Sequence, residues 1–178
     1  MGTTDRIYVP AALRSLTGLV PFLCGLLGVF IANIPVSFVG GVVPSPLLGL
    51  VPIYFWCLVR PDLMTPAAAF AIGMLEDIMS GAPPGVWTLS FVAAYAVVAR
   101  QRDSFAGLGG FAAVLGFAAA SLVACIIAYG TVALLTARLP PAGALVAELA
   151  ITVVCYIPGT LVVGAIHHRL VGPLRSDF

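Results

Sequence analysis

The stretch LGGFAAVLGFAAASLVACIIAYGTVALLT, Leu108 to Thr136, contains no charged side chain. A run of about 20 apolar residues suffices to cross a bilayer as a helix. The rest of the chain has the same character. Charged residues are 8% and apolar residues 61% of the 178, and the mean hydropathy is +1.14. A soluble domain carries about 25% charged residues. Too little polar material is present to cover a water-facing surface, and continuous apolar runs are unlike the alternation of an outer-membrane barrel. The composition predicts an all-α integral membrane protein.

Working outward, breaks in the apolar pattern predict six spans in a single domain: residues 16–34, 47–59, 63–80, 86–99, 108–136 and 142–166. Pro35 ends the first. The link VSFVGGVVPSP, residues 36–46, leads to a short second span, so part of this link is expected to enter the membrane or lie at its surface. The motifs RPD, GAPPG, RQRD and RLPPAG separate the later spans. With the N-terminus inside, Arg6, Arg14, Arg60, Arg100, Arg102, Arg169 and Arg175 are cytoplasmic and only Arg138 faces out, seven of the eight. The positive-inside rule therefore predicts cytoplasmic termini. The first run has no small-residue cleavage site after it and reads as a retained helix.

The net charge of +1, with no lysine, argues against a nucleic-acid partner. Cys24, Cys57, Cys125 and Cys155 fall in different apolar runs and read as packing residues, without metal or disulfide spacing. No internal repeat and no long soluble segment is apparent. Any function lies in the helices or their rims.

Membrane helices associate through close backbone approach and polar contacts. Ala112, Gly116, Ala120, Ala124 and Ala128 form a row four residues apart, for packing inside the bundle or for docking a partner's helix. Gly18, Gly25 and Gly28 in the first span, and Ala69 and Gly73 in the third, offer similar surfaces. Pro52 and Pro158 are expected to kink their helices. Tyr54, Trp56 and Trp87 read as interfacial aromatics, and His167 and His168 as headgroup-level residues.

The stretch GMLEDIMSGAPPG, Gly73 to Gly85, places two carboxylates at the end of the third span. A central Asp costs about 2.5–3.5 kcal/mol on insertion scales. Asp77 lies about one turn from the helix end, where the cost is lower. Helical spacing puts Gly73, Asp77 and Gly81 on one face, open to another backbone, and turns Glu76 about 100° away. The pair reads as a polar helix end, as a hydrogen-bond hub shaping an outward groove, as a small-molecule or ion site, or as part of an intramembrane enzyme. Asp77 is the only Asp within a span, and no Ser/His pair shares a depth, so no catalytic or metal-binding residues are assigned. Glu148 lies at similar depth in the sixth span, with Arg138 in the preceding loop.

These residues resemble the MreD family, the rod shape-determining membrane proteins of bacteria. The resemblance rests on YFWCLVRPD followed by GMLEDIMSGAPPGVWTLSFVAAY, and falls on Tyr54, Trp56, Arg60, Pro61, Gly73, Asp77, Gly81, Pro83, Pro84 and Gly85. Trp87 stands where many relatives have His, and Glu76 falls at a variable position. The resemblance implies a non-catalytic scaffold of the lateral cell-wall elongation machinery in the bacterial inner membrane, without a cofactor. Its implied partners are MreC, RodA with its penicillin-binding transpeptidase, and indirectly MreB. It also implies the six-helix architecture of the substrate-binding subunits of energy-coupling-factor transporters. A vitamin-type transporter subunit is therefore the alternative, and lipid handling a third reading. On the scaffold reading, Asp77, Gly73 and the SGAPPG turn form a rigid outward junction that Arg138 and Glu148 help satisfy.

Overall fold

The computed structural model describes residues 11–34, 44–102 and 110–171, with side chains described from 18 to 34, 44 to 102 and 110 to 170. The described residues form six α-helices: α1 (Ala11–Ala32), α2 (Leu50–Val59), α3 (Pro66–Ser80), α4 (Val86–Arg100), α5 (Phe111–Thr136) and α6 (Ala142–Ile166). A π-helical turn, His167–Val171, continues α6. No strand occurs among the described residues. By length and composition, α5 and α6 with its extension are long and apolar enough to cross a membrane. At about 1.5 Å per residue, α2 covers only about 15 Å.

Local chemistry sets the helix starts. Pro66 opens α3 at the position where a missing N–H costs nothing, and Thr65 caps it by accepting from the Ala68 amide at 3.2 Å. That pair moves the start from the expected residue 63 to residue 66. Helix α2 begins at Leu50, three residues later than expected. Pro52 therefore sits in its first turn, where it removes no helical hydrogen bond and needs no kink. Pro158 lies within α6, which is helical on both sides of it.

Helix α2 is the centre of the bundle. Tyr54 and Trp56 are 1% and 0% exposed, so neither belongs to an interfacial belt. The Tyr54 ring meets Phe117 and Tyr156 edge-on, and its hydroxyl donates to the Ala113 carbonyl at 3.2 Å. Trp56 packs edge-on against His167, which is itself buried, while His168, Arg169 and Leu170 of that turn are exposed. The interfacial reading failed because a short apolar helix can be surrounded by longer ones, which its composition alone does not reveal.

The start of α2 lies inside the bundle. Leu47 is buried, and its amide donates to Thr152 Oγ1 of α6 at 3.0 Å. A Cβ added to Gly28 of α1 would come within 2.7 Å of the Leu48 carbonyl oxygen, so α1 also crosses closely here. The expected re-entry of residues 36–46 falls mostly on residues 36–43, outside the described residues.

Gly116, Ala120, Ala124 and Ala128 are buried within the chain, and Ala112 is half-buried. The small-residue row packs α5 into its own bundle, chiefly against α4 and α6. It is not available as a free docking face.

Candidate functional site

Gly81, at φ +67°, ends α3 in the left-handed region, and Gly85, at φ +100°, precedes α4. Both positions favour glycine because a Cβ is strained there. The turn between them folds α4 back along α3. A Cβ on Gly73 would lie 2.7 Å from Thr88 Cα and 2.9 Å from the Trp87 carbonyl oxygen, so the two backbones touch at this point.

Helix α4 begins after a glycine and has no capping side chain of its own. Its first amides need acceptors, because helix starts lack internal partners. Asp77 of α3 supplies them. Its Oδ1 accepts from the Trp87 amide at 2.7 Å. Its Oδ2 accepts from the Gly85 amide at 2.9 Å, the Thr88 amide at 3.2 Å and the Thr88 hydroxyl at 2.6 Å. A carboxylate is also favoured by the positive end of the helix dipole. One acid thus caps a neighbouring helix.

Neither Arg138 nor Glu148 is among these partners, which corrects the expectation that they satisfy Asp77. Arg138 is exposed on the turn after α5. Four donors already surround the Asp77 carboxylate, so it has no need of a distant cation.

Glu76 points toward α1. It is 2% exposed, and its Oε1 accepts from Asn33 Nδ2 at 2.9 Å, while Oε2 has no hydrogen-bond partner. Asn33 also donates to the Val29 carbonyl at 3.0 Å, tying the end of α1 to α3. The two adjacent acids therefore serve different neighbours, as helical spacing predicts.

At the opposite end of the bundle, Arg60 holds Asp62 in a two-pronged ion pair, Nε–Oδ1 at 3.0 Å and Nη2–Oδ2 at 2.9 Å. Pro61 lies between them. The guanidinium holds the Asp62 carboxyl below its usual range. The Arg60 amide donates to the Trp56 carbonyl at 2.8 Å and closes α2.

A groove of about 610 Å³ runs between α3 and α4, lined by Phe70, Met74, Asp77, Ile78, Pro84 and Thr88. Its polar side chains, Asp77 and Thr88, are bonded to each other, so its open surface is largely apolar. A separate pocket of about 160 Å³ lies among α4, α5 and α6 and contains Glu148. No group of three or more His, Cys, Asp or Glu that could hold a metal occurs among the described residues.

No family model, curated protein or solved structure matches the chain. Thr88 and Asn33 were not singled out from the sequence. The missing signal for Thr88 was the uncapped start of α4, facing an acid across a five-residue turn.

Proposed function

We propose that this chain is a six-span protein of the bacterial cytoplasmic membrane, with both termini cytoplasmic, acting as a non-catalytic scaffold of the MreD kind. The inverted surface supports the membrane reading. Ile78, Leu134 and Leu161 are 69%, 85% and 71% exposed, whereas Glu76, Asp77, Ser90, Ser121 and Thr152 are buried. Water would disfavour that arrangement, and lipid favours it. The distribution of arginines supports the orientation.

The observation that carries the scaffold reading is the saturation of Asp77 by four donors from the start of α4 and the glycine before it. A carboxylate held this way is a joint between helices. It presents an apolar groove between two rigidly coupled helices, suited to receiving another apolar helix. On this reading the bitopic partner is MreC, and the assembly holds RodA and its transpeptidase, with MreB reached indirectly. The transporter alternative calls for convergent free polar groups in the large groove, and Asp77 and Thr88 are already engaged there.

Mild-detergent purification of the tagged protein from its native membrane, with retained proteins identified by mass spectrometry, tests the proposal. Recovery of an MreC-like protein is expected, with Asp77→Asn reducing its yield more than Glu76→Gln. Recovery of ATPase subunits instead would overturn it.

A further inference from the structure

Glu148 stands seven positions into α6, too far along to cap that helix, and is half-buried. It has no hydrogen bond or ion pair among the described residues. An ionised carboxylate withdrawn from water is costly unless a positive group accompanies it. The pocket it opens into is walled by Trp87 of α4, Cys125 and Tyr129 of α5, and Pro141 and Leu145 near the start of α6. Two aromatic residues and one acid around a small, open apolar pocket suit an organic cation, since aromatic faces attract an ammonium.

Size and charge narrow the class. At about 160 Å³ the pocket is smaller than a drug-sized site of about 300–1,000 Å³. An anion would meet Glu148 directly. A hard divalent ion prefers about six or more oxygens, and the pocket offers one carboxylate. Arg138 is exposed two residues before Pro140, which also lines the pocket. A cation-accepting pocket with an arginine two residues along the chain from its lining complements a phosphate that carries an amine a few bonds away.

We propose that the Glu148 pocket binds a primary ammonium group, with Trp87 and Tyr129 as its walls, carried by an aminophospholipid headgroup or a free small amine. Arg138 contacts the adjoining phosphate when the source is a lipid. The lipid source rests on the membrane reading above; the ammonium chemistry does not.

Delipidated, detergent-purified protein exposed to equal phosphatidylethanolamine and phosphatidylglycerol, and examined by native mass spectrometry, provides the test. The amino lipid should be retained about tenfold over phosphatidylglycerol, a margin one charge-assisted contact supplies. Glu148→Gln should abolish the preference, and Tyr129→Leu, which leaves the acid in place, should weaken it. Arg138→Gln should lower retention of both lipids. In parallel, ethanolamine titration is followed by Trp fluorescence, with Trp87→Phe as the control. A response to ethanolamine without lipid preference assigns the free amine as source. Equal retention of both lipids with no response to ethanolamine overturns the proposal, as does an unchanged preference in a folded Glu148→Gln. Release of the protein from membranes by alkaline wash alone would overturn the membrane reading while leaving the ethanolamine result valid.

Discussion

Asp77 Oδ2 accepts both the amide and the hydroxyl of Thr88, at 3.2 and 2.6 Å, across the turn that joins α3 to α4. A single carboxylate thereby does for α4 what an N-cap residue ordinarily does from within its own helix, and it fixes the angle of the helical hairpin as well.

Removing this cap should be costly. Asp77→Ala leaves the Gly85, Trp87 and Thr88 amides without their acceptor, and a loss of about 2–4 kcal/mol is expected from one lost cap plus lost charged hydrogen bonds. Asp77→Asn keeps one acceptor oxygen and should lose about half as much. Thermal unfolding in detergent, followed by helical circular dichroism, measures both. An Asp77→Ala protein melting with the wild type would refute the capping role.

The contact at Gly73 makes a sharper prediction. Its missing Cβ faces backbone atoms of Thr88 and Trp87, which cannot rotate away as a side chain could. Gly73→Ala must push the two helices apart and should destabilise by about 1–3 kcal/mol, the range for overpacking. Gly18→Ala, where nothing lies within 4 Å, should be neutral or slightly stabilising through helix propensity. Equal melting temperatures for the two variants would contradict the close approach.

The helices were legible in the sequence because each is an apolar run bounded by Pro, Gly or Arg. The 142–166 boundary of α6 matches the pattern directly. The face shared by Gly73 and Asp77 was also legible, since it follows from 3.6 residues per turn. The depth of α2 was not. Whether Tyr54 and Trp56 meet lipid or protein depends on which helices surround them, and that is set by contacts from Phe117, Tyr156 and His167, distant in sequence. The partners of Asp77 were missed for a related reason. Three of its four donors are backbone amides, which every residue except proline carries, so residue types do not mark them as they mark a charge such as Arg138.

The ion pair at the other end of the bundle should matter little and should show its pH dependence only in acid. Arg60 lowers the folded-state pKa of Asp62. A group shifted this way adds stability above its unfolded value, and the contribution fades as pH falls below that value and through the folded one. Asp62 is about half exposed, so solvent screening limits the effect to a few tenths of a kcal/mol, within the usual range of about 0–1. Asp62→Asn should therefore melt close to the wild type at neutral pH, with the small difference vanishing in acid. A large neutral-pH loss would show that the turn depends on the pair.

Thr152 governs the internal start of α2. A threonine within a helix commonly turns its hydroxyl back to a carbonyl one turn earlier, but here the oxygen accepts from the Leu47 amide of another segment. Pro46 precedes that amide and Leu47 is 1% exposed, so water offers no replacement. Thr152→Val keeps the shape and removes the acceptor, leaving a buried N–H unpaired at a cost of about 1–3 kcal/mol. Thr152→Ser keeps the oxygen and loses only a methyl group, about 0.8 kcal/mol of burial. The valine variant should therefore melt below the serine variant, although valine fills the site better. Backbone exchange measured by hydrogen–deuterium mass spectrometry should rise over the start of α2 in the valine variant alone. The reverse order of melting would mean that packing at residue 152, and not the hydrogen bond, holds α2 in the bundle.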